Sequence, residues 1–186
     1  MARELFSFDQ PERFVVGTIG QPGERQFFLQ VRDARRTVTV ALEKQQVQLL
    51  AERVDGLLDE VTRLTGGSVQ IPAGAPVGSD DLEPLDSPVV EEFTVGSLVL
   101  GWSGDAEMLV IEAHEPVDEG EQIPDLEEDP EDGPATLRVR LSGAAGRAFA
   151  KRALAVVSAG RPPCPFCALP LEPTGHICPR ANGYRR

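Results

Sequence analysis

Cys164, Cys167 and Cys178 are the only cysteines of the chain, and all lie in its last 23 residues, in the run Cys164-Pro-Phe-Cys167…Gly175-His176-Ile-Cys178. His176, one of two histidines, sits in the same run. Thiolates and imidazole are the donors zinc prefers, and four of them close a tetrahedron. Cys164-x2-Cys167 has the spacing of a usual first half-site, where a tight turn lets two thiolates face one ion. The second half, His176-x-Cys178, is shorter than usual. Residues two apart in an extended segment point to the same side, so both can reach one metal. Pro170, Pro173 and Gly175 suit a reversing loop between the halves. The spacing predicts a zinc knuckle with Cys164, Cys167, His176 and Cys178 as ligands and zinc as cofactor. Two rival readings remain. One is a reduced, unmetallated tail with buried cysteines. The other is a redox dithiol, which needs its first Cys at a helix N-terminus, where the dipole lowers the thiol pKa. Arg161-Pro162-Pro163 before the motif, and Pro170 and Pro173 after it, argue against a long helix there.

Beyond the knuckle, Arg180, Tyr184, Arg185 and Arg186 place three arginines and the only tyrosine beside the expected metal. Arginine forks and an aromatic face suit phosphate, carboxylate or a base. These four residues are the candidate partner-binding set; the bland alternative is a basic tail that packs on the protein's own acidic body. Other chemistry finds less support. Asp125-x-Glu127-Glu128-Asp129 lacks the order and closing Glu of a calcium loop and reads as solvated. His114 ends an apolar run with no Ser or Cys near it, so it reads as a hydrogen-bonded surface residue and no nucleophilic triad is visible. Gly17, Gly20 and Gly23 read as turn glycines rather than a phosphate loop.

With 186 residues, 41% of them hydrophobic, the chain can bury a core as one body plus an appendage. No run of about 18 apolar residues exists, so no membrane span is expected, and the N-terminus has no apolar stretch of signal-peptide length. A reducing, cytoplasmic location follows and suits thiolate ligands. Net charge is −12, unevenly distributed. Residues 79–137 hold 19 acids and no Lys or Arg, whereas residues 143–186 hold seven basic residues against Glu172 alone. Intramolecular complementarity is the simpler reading; a basic patch for an anionic partner is the sharper one.

The elements that must carry these residues show a weak repeat. Phe14-Val-Val-Gly17, Phe27 to Arg32 and Thr37 to Leu42 precede one helical stretch. Phe93-Thr-Val-Gly96, Glu107 to Glu112 and Thr136 to Leu141 precede another. Period-two alternation puts Val38, Val40 and Leu42 on one face. It also puts Leu137, Val139 and Leu141 on one face and Arg138 and Arg140 on the other. Val47, Leu50, Val54, Leu57, Leu58, Val61 and Leu64 recur at helical steps, predicting a helix from about Glu43 to Thr65 stopped by Gly66-Gly67. A second helix is expected from Gly143 to Ser158, with Ser142 as N-cap. The expected fold is α+β: duplicated β-β-β-α units forming a joint antiparallel sheet with two helices, Phe14 and Phe93 at equivalent places, plus the C-terminal zinc knuckle. The body would span 1–160 (halves about 1–66 and 89–160, linker 67–88, acidic loop 115–134), with the knuckle and basic tail in 161–186. The loop, rich in Pro, Asp and Glu, reads as too polar to bury anything.

The order Arg161-Pro-Pro-Cys164-Pro-Phe-Cys167…Gly175-His176-Ile-Cys178-Pro-Arg180-Ala-Asn182-Gly183-Tyr184 resembles an actinobacterial family known as domain of unknown function 3090. The opening Phe14-Val-Val-Gly-Thr-Ile-Gly and the Phe28-Leu-Gln segment resemble it too, so that the likeness covers nearly the whole chain. The resemblance implies an intracellular protein without assigned activity, keeps Cys164, Cys167, His176 and Cys178 as metal ligands, and supplies no catalytic residues. The functional expectation is a non-enzymatic zinc-binding adaptor for a protein partner. The alternatives are a nucleic-acid-binding protein that uses the basic tail, and an enzyme with a site between the two halves.

Overall fold

The computed structural model describes residues 4–118, 120–160, 164–167, 171, 178 and 180. The fold is α+β, with two helices and strands that are mostly antiparallel. Strands β1 (Leu5–Asp9), β2 (Arg13–Ile19), β3 (Gln26–Arg32) and β4 (Thr37–Leu42) lead into helix α1 (Lys44–Leu64). Strands β5 (Ser97–Ser103), β6 (Met108–His114) and β7 (Thr136–Leu141) lead into helix α2 (Gly143–Ser158). The element order β-β-β-α thus occurs twice, after one additional strand.

The joint sheet expected from the alternation is divided in two. Strands β2-β3-β4 form one antiparallel sheet, and β1-β7-β6-β5 form the other. β1, which the sequence reading missed, pairs parallel with β7 and ties the N-terminus to the second sheet. The Phe-x-Val-Gly match does not mark equivalent positions. Phe14 lies inside β2, whereas Phe93 precedes β5 and its carbonyl accepts from Ala41 N at 3.0 Å along the edge of β4. Both are buried, so the apolar type is explained by the core without duplication.

The inward faces of both sheets meet the helices in one core. Phe14, Val16, Leu29 and Val40 from one sheet and Phe8, Leu109, Ile111 and Val139 from the other join Val54, Leu58 and Phe149. The Phe14 and Phe149 rings stack at 4.5 Å, locking β2 to α2. Glu43 N donates to Gln46 Oε1 at 2.8 Å at the start of α1, and Ser142 Oγ accepts from Ala145 N at 3.2 Å at the start of α2. Positive φ at Gly66 and Gly67 turns the chain out of α1.

The outward faces are also covered, by the linker and by the acidic loop that reads as too polar to bury anything. Leu85 of the linker packs with Val15 and Phe28 on the first sheet. The acidic loop crosses the second sheet, where Leu126 reaches the open face of Gly101. Among its described residues there is no helix or strand, but it is not idle. The linker's acids take up the body's cations. Asp81 Oδ2 lies 2.6 Å from Arg13 Nε and its Oδ1 2.8 Å from Arg152 Nη1; Asp86 reaches Arg32 at 3.0 Å, and Asp80 reaches Lys151 at 2.6 Å. Asp55 and Asp59 on α1 hold the buried Arg147 of α2. These acids of the linker and of α1 are thus partnered by cations of the body itself.

The route of the acidic loop leaves a testable mark at its entrance. A Cβ on Gly96 would stand 2.5 Å from Pro116 Cα and 2.7 Å from Pro116 N, backbone atoms that cannot swing aside. Gly96→Ala is expected to lower stability by about 1–3 kcal/mol. Gly56, inside α1 with open space around it, gives the opposite sign. Gly56→Ala should stabilise by roughly 0.5–1 kcal/mol through helix propensity. Urea titration of both variants checks the pair, and a Gly96→Ala midpoint equal to that of the unsubstituted protein would disprove the tight passage.

Candidate metal centre

Cys164 and Cys178, distant in the chain by 14 residues, are both buried, and their sulfurs approach to 3.8 Å. That separation is far beyond the roughly 2.05 Å of a disulfide. It matches the edge of a tetrahedron of thiolates about a zinc-sized ion, which is about 3.8 Å for metal–sulfur bonds of about 2.3 Å. Residues 165–167 form a turn. It brings Cys167 back so that all three sulfurs lie within 4.8 Å of one another. Pro165 presets the backbone for such a turn. Phe166 N donates to Cys164 Sγ at 3.5 Å. Burial pushes the Cys164 thiol up, but hydrogen bonds from the Phe166 and Cys167 amides and from the neighbouring thiols outweigh it and hold the group below its ordinary range. Thiolate is the ligand form. Together the three cysteines can hold a metal ion.

His176, the expected fourth ligand, lies outside the described residues, as do Tyr184, Arg185 and Arg186. Arg180 is exposed, and its Nη1 donates to the Phe166 carbonyl at 3.3 Å, which ties this side chain to the Cys164–Cys167 turn. Phe166 is 43% exposed, so an aromatic side chain and a guanidinium share this surface.

A second cluster escaped the sequence reading. Glu112 and His114 on β6 stand opposite Arg138 and Thr136 on β7, in register on the outward face. Glu112 and His114 are fully buried, not at the surface as expected for His114. Glu112 Oε1 accepts from Arg138 Nε at 2.5 Å and from Glu127 N at 3.0 Å. His114 Nδ1 lies 3.0 Å from Thr136 Oγ1. Its Nε2 is 3.3 Å from Glu112 Oε2, close but misaligned, so these two buried atoms lack a well-formed hydrogen bond. The acidic loop closes the cluster. The Glu128 carbonyl accepts from Arg138 Nη2 at 3.1 Å, and Asp129 Oδ1 lies 2.9 Å from Arg138 Nη1. On the neighbouring pair position, Glu127 and Asp9 both hold Arg140 at 2.7 Å. Burial opposes ionisation of Glu112, but the contacts with His114, Arg138 and the Glu127 amide prevail and bring its pKa down to about 2. The available signal was Glu112 and His114 two apart in an otherwise apolar strand. Pairing it with Arg138 required the strand register.

Fold and site together define an α+β protein with a C-terminal cysteine cluster able to hold a metal. Among the described residues no helix is long and apolar enough to cross a membrane. Residues 6–178 match the family model described as protein of unknown function (DUF3090), and the chain belongs to that family. No curated protein and no solved structure matches it.

Proposed function

We propose that this protein is a non-enzymatic, cytoplasmic zinc-binding adaptor whose α+β body carries a metal-braced, basic C-terminal module for a protein partner. The observation that carries the reading is the convergence of Cys164, Cys167 and Cys178 to within 4.8 Å. With His176 as fourth ligand the set is Cys3His, a closed structural site without the open position that catalytic zinc needs. The charge pattern supports the same reading: Asp81, Asp86, Glu127 and Asp129 of the linker and acidic loop engage Arg13, Arg152, Arg32, Arg140 and Arg138, whereas Arg180 is exposed. Arg180, Arg185 and Arg186 follow the last cysteine directly. Ordering a free terminus costs about 1–2 kcal/mol per residue in backbone entropy, which a metal two residues before Arg180 reduces by setting the direction of the chain.

The test is recovery of partners from nuclease-treated native extract with the full chain and with Arg180→Ala, Arg185→Ala and Arg186→Ala combined. The adaptor reading expects a protein partner that is lost with the triple variant while thermal stability stays unchanged. Lower stability with unchanged recovery would mean that the tail clamps the protein's own carboxylates. A salt-dependent mobility shift with RNA or DNA, absent in the triple variant, would replace the adaptor reading by nucleic-acid binding.

A further inference from the structure

A cleft of about 690 Å³ opens where the β2–β3 turn, the first turn of α1 and the last turn of α2 meet. Its described lining includes Arg25, Lys44 and Gln48, with Phe27, Leu154 and Val157 as the apolar wall, and no carboxylate. That is unusual in a chain with 30 acids against 18 basic residues. Glu24 and Glu43, the nearest acids in sequence, are not among the described lining residues.

The two cations converge. The position that a Cβ on Gly160 would take is 3.6 Å from Arg25 Nη2 and 3.8 Å from Lys44 Nζ. Arg25 is held there by its own surroundings: Nη1 donates to the Val156 carbonyl at 3.4 Å, and the guanidinium carbon lies 5.4 Å from the centre of the Phe27 ring. Elsewhere the body places its cations on carboxylates: Arg13 and Arg152 on Asp81, Arg138 on Glu112, Arg147 on Asp55, Lys151 on Asp80. Among the described residues neither Arg25 nor Lys44 has such a pair. Two like charges brought toward one point are unfavourable unless an anion lies between them.

We propose that this cleft binds a phosphorylated small molecule. The phosphate lies over Gly160 between Arg25 and Lys44, and the organic part lies along Leu154 and Val157. A tetrahedral phosphate offers separate oxygens to a guanidinium fork and to an ammonium arriving from different elements. Gln48, one turn along α1 from Lys44, supplies a neutral donor at the rim. A site of this size with an apolar wall and few convergent polar groups is typical for small ligands. The proposal is independent of the cysteine cluster.

The probe is phenyl phosphate, titrated calorimetrically into the full-length protein at low salt, with inorganic phosphate and phenol as comparisons. Saturable one-to-one binding is expected, tighter than for inorganic phosphate and absent for phenol. Arg25→Gln with Lys44→Gln should weaken it by about tenfold or more, as expected for loss of two charge-assisted contacts. Arg53→Gln, an exposed cation of α1 outside the cleft, should leave it unchanged. Lys44 is exposed and Arg25 half-buried, so the double variant should keep the thermal midpoint. Equal affinity in the unsubstituted and doubly substituted proteins, equal loss in Arg53→Gln, or no saturable binding would overturn the proposal.

Discussion

Glu112→Gln is expected to destabilise the protein by about 3–5 kcal/mol, the usual cost of removing one partner from a buried ion pair. The glutamine keeps the shape but leaves Arg138, 2% exposed, without its closest counter-charge. Asp129 at 2.9 Å offers partial compensation from a more exposed position, which favours the lower end of the range. The same carboxylate gives a pH signature. Its folded pKa, about 2, lies below the ordinary value of 4.5. A depressed acid contributes stability that is fully present above the unfolded pKa and is lost as pH falls through the folded one. The loss should therefore develop between about pH 4.5 and 2 and amount to something on the order of 3 kcal/mol. Urea unfolding of both proteins across that window measures it: the unsubstituted chain should weaken steeply and Glu112→Gln much less. Glu112→Leu combined with Arg138→Met removes both charges and should recover a large part of the single-variant loss. A Glu112→Gln penalty below about 1 kcal/mol would show that the pairing under the acidic loop is not what holds β6 and β7 there.

Protein prepared without chelators is expected to carry one zinc per chain, and Cys164→Ser to lose it. Structural zinc supplies folding free energy on the order of 10 kcal/mol to small modules, so the C-terminal segment should lose its order without metal. The body should not follow. Its main core, from Phe6 to Val157, contains none of the three cysteines. The expected result is thus split: elemental zinc falls from one equivalent to none, protease sensitivity appears after about residue 160, and the main melting transition stays in place. His176→Ala should weaken zinc binding less severely than loss of a thiolate, because three sulfurs and a water can still complete a tetrahedron. Absence of metal in the unsubstituted protein, or a full equivalent in Cys164→Ser, would contradict the ligand assignment.

Much of this was legible in the amino-acid sequence, and for local reasons. Alternation in Thr37–Leu42 and Thr136–Leu141 and the three- and four-residue spacing along α1 reflect the periods of a strand and a helix, which depend on neighbours in the chain. Ser142 at the start of α2 and Gly66 at the end of α1 act within one turn, and the spacing of Cys164 and Cys167 within one loop. Partnership between distant elements was not legible. Period two shows that Arg138 faces away from Leu137, but it does not show that Glu112 stands opposite, because register is set by which strands pair. The parallel pairing of β1 with β7 joins residues some 130 apart in sequence, with Leu5 against Thr136, and no local pattern encodes it. Composition reads the acidic loop as solvated and residues 67–88 as a mere linker. Composition counts charges but not their partners, and only the tertiary fold placed Arg13, Arg138, Arg140 and Arg152 where those carboxylates and carbonyls could meet them. The convergence of Arg25 and Lys44 on one cleft has the same origin: they come from a hairpin and a helix start that only the packing of α2 brings together.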